Sequence, residues 1–143
     1  MGFFGKLFGT EKELPPLDPG TPGSQRIERQ RAVLEPWAAK LHDPLEVVPG
    51  ERAVYVFIGR PPDRFGIAWF EADGVEHNLK TLAQRRKFTV RQMNELSAHL
   101  RKAYERSQQA PRFSLSLGQR KAKVILSPEL EKDLLGIIHE VEG

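Results

Sequence analysis

Between residues 112 and 126 the chain reads RFSLSLGQRKAKVIL, an alternation of apolar and polar positions interrupted by one turn. Phe113, Leu115, Leu117, Ala122, Val124 and Leu126 fall on one side, and Arg112, Ser114, Ser116, Lys121 and Lys123 on the other, with Arg120 at the turn. Period two predicts two strands of a hairpin with one buried face. Gly118 opens the turn, and a loop of two or four residues leaves those faces the same. Residues 53–58, AVYVFI, behave differently: Val54, Val56 and Ile58 alternate with Ala53, Tyr55 and Phe57. A strand apolar on both sides should be covered on both sides. The next stretch, RFGIAWFEA, adds Ile67 and Trp69 to the second of these surfaces. Asp73-Gly74 then predicts a two-residue hairpin turn. It would pair Phe70 with His77, Ala68 with Leu79, Trp69 with Asn78 and Glu71 with Glu76.

Helical periodicity appears in three places. Val90, Met93, Leu96, Leu100 and Tyr104 form a stripe, with Thr89 and Gln92 as a capping box, Phe88 as a staple onto Met93, and Pro111 ending the run. Leu130, Leu134, Ile137, Ile138 and Val141 form another, opened by the N-cap Ser127, Pro128 and the acidic Glu129, Glu131 and Asp133. The first begins near Ser24 and carries Ile27, Leu34, Trp37, Ala38 and Leu41, with Pro36 expected to break or kink it. Residues 24–143 therefore read as a single α+β domain. Its expected sheet is antiparallel and five-stranded, in the order α-β-β-β-α-β-β-α, with the helices packed on it.

The first 23 residues read as a flexible tail. In residues 1–9, MGFFGKLFG, the side chains of Phe3, Phe4, Leu7 and Phe8 would share one side of a helix. Nine residues containing Gly5 cannot hold a helix alone in water, so the tip is disordered or folds against a membrane surface, a partner or the chain's own core. Residues 10–23, TEKELPPLDPGTPG, have too little apolar surface to fold and read as a linker of about 40 Å if extended as polyproline II.

Composition narrows the chemistry. The 143 residues suffice for one domain and include no cysteine, which removes disulfides and thiolate chemistry. The longest apolar run, AVYVFIG, is far too short to cross a bilayer, and no secretory leader is expected. A cytoplasmic location fits, with peripheral membrane contact as an alternative. The net charge of +3 is unevenly spread: residues 1–80 hold 10 Lys/Arg against 12 Asp/Glu, residues 81–125 hold 11 against 2, and residues 126–143 hold 1 against 5. A basic block of this kind can steer an acidic partner, or simply form a solvated surface balanced by an acidic last helix. His42, His77, His99 and His139 lack metal-ligand spacing, and His77 is expected on a buried face as a neutral core group. Glu71 and Glu76 resemble an acid pair, but a hairpin tip lets them splay apart. No nucleophile elbow, phosphate loop or dinucleotide fingerprint occurs. Hence no catalytic residue, metal, cofactor or small-molecule substrate is assigned.

The element order of residues 24–143 resembles that of class I type III secretion chaperones, although those are usually acidic. The likeness implies dimerisation and binding of extended peptides as expectations, and it transfers no residue. The leading expectation is a non-enzymatic module that binds another protein, or a second copy of itself, through Tyr55, Phe57, Ile67 and Trp69. The alternative is an anion-binding module for a nucleic-acid backbone or an acidic membrane. It would use Arg112, Ser114, Ser116, Arg120, Lys121 and Lys123, whose hydroxyls and cations suit phosphate oxygens. An enzyme without a recognisable motif comes third.

Overall fold

The computed structural model of the protein describes residues 14–143. Helix α1 (Pro22–Ala39) is followed by strands β1 (Leu45–Pro49), β2 (Ala53–Arg60), β3 (Arg64–Glu71) and β4 (Glu76–Asn78). Helices α2 (Leu79–Arg85) and α3 (Val90–Arg106) come next, then β5 (Arg112–Leu117), β6 (Arg120–Ile125) and α4 (Pro128–Glu142). The fold is α+β, with four helices among the described residues. Its sheet corrects the expectation: it has six strands, in the order β4-β3-β2-β1-β6-β5. It is also mixed, because β1 runs parallel to β6 with Glu46 beside Lys123 and Val47 beside Val124. All other neighbours are antiparallel.

The added strand is β1. All five of its residues are buried, and Glu46 lies within its apolar run, so neither alternation nor length announced it. The added helix is α2, capped by Asn78, whose side chain accepts a hydrogen bond from Thr81 N at 3.2 Å. That local cap competes with continuing the strand. With both additions, the element order on which the likeness to secretion chaperones rested no longer holds.

The β3–β4 hairpin is slipped by one residue from its expected pairing. Trp69 faces His77, Ala68 faces Asn78 and Phe70 faces Glu76. The loop is one residue longer than a two-residue turn: Gly74 N donates to Glu71 O at 2.8 Å, and Gly74 has φ +78°. A tight turn followed by a left-handed residue suits glycine and makes a three-residue connection. Because side chains alternate, the slip moves His77 from Phe70's side of the sheet to Trp69's.

Two apolar layers sandwich the sheet. Ile27, Leu34 and Ala38 of α1 pack with Val47, Val54, Val56, Phe70, Leu117, Ala122 and Val124 on one face. Helices α2, α3 and α4 cover Val48, Tyr55, Phe57, Ile67, Trp69 and Ile125 on the other. Pro36 does not break α1: the proline is exposed one turn before the helix ends, and Ala32, whose carbonyl it deprives of a donor, is exposed to water. The helix starts at Pro22 under a Thr21 cap rather than near Ser24. In α3 the capping box forms as expected, but Val90 leaves the stripe and is 79% exposed. Leu96, Leu100, Ala103 and Tyr104 of α3 are buried, and Met93 of its first turn is half-buried against the same core.

The linker expectation is corrected for residues 15–23. Ser114 N donates to Pro15 O at 2.8 Å, Leu17 N donates to Ser114 O at 3.0 Å, and Leu17 is buried. This short parallel segment covers part of the β5 edge that would otherwise expose backbone groups. The apolar tip, Phe3, Phe4, Leu7 and Phe8, lies outside the described residues.

Candidate functional site

Tyr55, Phe57, Ile67 and Trp69 share one sheet face, as their alternation requires, and none is more than 3% exposed. The chain itself supplies the cover through α2, α3 and α4. Phe57 meets Tyr104 of α3 edge-on at 5.3 Å and Phe65 at 5.6 Å. Burial pushes the Tyr55 phenol up to about 12, with the nearby Glu131 and Glu71 carboxylates adding to the effect. The expectation of a partner or second copy against these four residues therefore meets a surface that is already filled.

Toward the other end of the sheet the same face changes character. On β5 and β6, Ser114 is paired with Lys123 and Ser116 with Lys121. Ser116, Lys121 and Lys123 are exposed, and Ser114 is half-buried. Together they form a polar cationic strip that runs up to the β5 edge.

The two expected arginines are engaged by backbone carbonyl oxygens. Arg120 does not belong to the strip: it faces Leu117 across the turn and shares the α1 side of the sheet with Ala122 and Val124. Its guanidinium donates to the carbonyl oxygens of Ala38, Leu41 and Asp43, which closes the C-terminal end of α1. Arg112 stands at the inner end of the strip, but Nη1 donates to Ser107 O at 2.7 Å and to Ala110 O at 3.0 Å. Its guanidinium also lies 5.7 Å from the centre of the Tyr104 ring.

Where strip meets core, Glu46 of β1 is buried beside Lys123. It accepts a hydrogen bond from the Tyr104 hydroxyl at 2.8 Å. Burial, followed by this bond, raises the Tyr104 phenol above its usual value. Sequence reasoning missed Glu46; the signal available was a carboxylate set among Leu45, Val47 and Val48. The acidic last helix does meet the basic segment, with Arg106 3.1 Å from Asp133 and His99 3.7 Å from Glu140.

His77 stacks on Trp69 with ring centres 5.4 Å apart and planes 14° from parallel. Its Nε2 lies 3.5 Å from a Glu71 oxygen and makes no hydrogen bond. Beside it, Glu76, Thr81, Arg85 and Glu142 help line a cleft of about 210 Å³. The register slip sets Phe70, not Glu71, opposite Glu76, so the anticipated acid pair is not formed across the hairpin. Among the described residues no group of three or more His, Asp or Glu is placed to hold a metal ion. No described helix is long and apolar enough to cross a membrane.

The architecture is that of a small α+β module whose sheet is sealed at one end and carries an open cationic strip at the other. No known protein family, no curated protein and no solved structure matches the chain.

Proposed function

We propose that the protein is a non-enzymatic module that docks on an anionic membrane surface. Ser114, Ser116, Lys121 and Lys123 contact the phosphate headgroups, and Phe3, Phe4, Leu7 and Phe8 enter the interface. One observation carries this reading. The hydrogen bonds of Pro15 and Leu17 to Ser114 set the start of the described chain at the β5 edge, beside the strip. From that point the tip is tethered within about 45 Å, counted at ~3.5 Å per extended residue.

Neither element suffices alone. A short interfacial segment with one lysine binds weakly and reversibly. Each basic side chain near an anionic surface contributes only about 1 kcal/mol. Joined on one edge, the two act as paired signals. A nucleic-acid reading of the same strip has less support, because single strands stack on aromatic rings. Phe113 points to the opposite face, and the Tyr104 ring is covered by Arg112. A protein partner on Tyr55, Phe57, Ile67 and Trp69 would require α2, α3 and α4 to lift away.

Vesicle co-sedimentation of the full chain tests the proposal. Phosphatidylglycerol-containing vesicles should pull the protein down at low salt and lose it as salt rises, while pure phosphatidylcholine vesicles should not. Lys121→Gln, and separately Phe4→Ser with Phe8→Ser, should each weaken binding about fivefold or more while leaving the circular dichroism unchanged. Absence of sedimentation with the anionic vesicles at low salt overturns the reading, as does tighter binding to single-stranded RNA than to those vesicles.

A further inference from the structure

The opposite side of the sheet holds a second, unrelated concentration of positive charge. Between α1 and the β1–β2 turn lies a notch of about 110 Å³, bordered by Arg26, Arg29, Gln30 and Arg52 and floored by small residues such as Ala53 and Ala72. Two of its polar groups are held in place. Arg26 Nη1 donates to Pro49 O at 3.2 Å, and Gln30 Nε2 donates to Glu71 O at 2.7 Å. The third arginine of the same helix shows what a compensated guanidinium looks like here. Arg31 lies 2.6 Å from Glu28 and 2.7 Å from Glu35, and these bonds depress the Glu28 carboxyl and hold the guanidinium above its ordinary value. Arg29 and Arg52 have no such partner among the described residues. Three arginines thus border one notch that Glu51 also lines, with the Glu131 carboxylate accepting from Glu51 N at 2.6 Å.

An excess of positive side chains around one notch favours the entry of an anion. The guanidinium fork matches tetrahedral oxyanions, which it can bind through two parallel hydrogen bonds. The small floor residues let such a group approach the backbone closely, and a notch of about 110 Å³ has room for one compact anion. We infer that this notch is a binding site for a phosphate-type oxyanion, supplied as free phosphate or as the terminal group of a small phosphomonoester. It stands apart from the β5–β6 strip and does not depend on membrane docking.

The test is a nuclear magnetic resonance titration of isotope-labelled full-length protein, reading the arginine side-chain Nε–H signals. Inorganic phosphate and glycerol 3-phosphate are added in separate arms at an ionic strength held constant with chloride. Saturable shifts at Arg26, Arg29 and Arg52, with Arg31 unmoved, are the expected result. Arg29→Gln and Arg52→Gln, both at exposed positions, should each weaken binding about tenfold without changing the circular dichroism. Equal affinity in the two arms identifies the oxyanion itself as the ligand, and tighter binding of glycerol 3-phosphate identifies a phosphorylated small molecule. Shifts that fail to saturate, or that appear equally at Arg31, overturn the inference.

Discussion

One face of this sheet is two surfaces. Over β2 and β3 it presents Tyr55, Phe57, Ile67 and Trp69 beneath three helices, while over β5 and β6 it presents Ser114, Ser116, Lys121 and Lys123 to water. The backbone geometry is the same, so side-chain chemistry alone decides where the helical layer stops. Burying the aromatic half repays the ordering of α2, α3 and α4, whereas covering the lysine half would strip water from ammonium groups without return. The comparison therefore separates the part of the face that holds the fold from the part left exposed to water.

The largest effect should come from the sealed half. Trp69→Ala should lower stability by about 3–5 kcal/mol, whereas Ser116→Ala on the open half should change it by no more than about 0.5 kcal/mol. Urea unfolding midpoints measure both, and comparable losses would erase the distinction. The border should respond at an intermediate level. Tyr104→Phe leaves the buried Glu46 without its hydroxyl donor and should cost about 1–3 kcal/mol. Part of that loss should return when Glu46 is also replaced by Gln, and a double-mutant cycle would show the coupling.

The smallest effect is confined to alkaline pH. The Tyr55 phenol is raised from 10.0 to about 12 in the folded protein, mainly by burial, so the native state holds its proton longer than the unfolded chain does. The associated stability is fully present below about pH 10 and is lost as pH rises toward about 12. Tyr55→Phe should make that limb of the stability profile shallower, with the raised Tyr104 phenol still contributing to it, and leave the profile at neutral pH unchanged in shape, as read by thermal unfolding across the range.

What could be read from the sequence was whatever is encoded locally. The β5–β6 hairpin, the capping box of α3 and the Ser127-Pro128 start of α4 each depend on residues only a few positions apart. Strand β1 could not be read in this way. Its place is fixed by partners on both sides, one of them nearly eighty residues away, and Glu46 disguises its apolar run. Asp73-Gly74 marked the turn correctly but not its length, and one residue of loop was enough to exchange the surroundings of His77. For Arg120 the signal was present: a two-residue turn at Gly118-Gln119 sets it opposite Leu117 and therefore on the α1 side. Nothing local announced that Arg112 would be drawn to Ser107 and Ala110, because that depends on where α3 ends over the sheet.

The parallel seam between β1 and β6 also has a consequence for synthesis. β1 is complete at Pro49, but the strand that covers its free edge is not complete until Ile125. At ~5–20 residues per second, a ribosome needs roughly 4–15 s to make the intervening stretch. During that interval the nascent chain carries a buried-type strand with one unpaired edge, exposing Val47 and Val48 to any neighbouring strand. A chain cut short before residue 120 keeps that edge open permanently. The last quarter of the sequence thus serves as the closing half of a joint whose first half is made much earlier, and premature termination would leave a species prone to pair with its own kind.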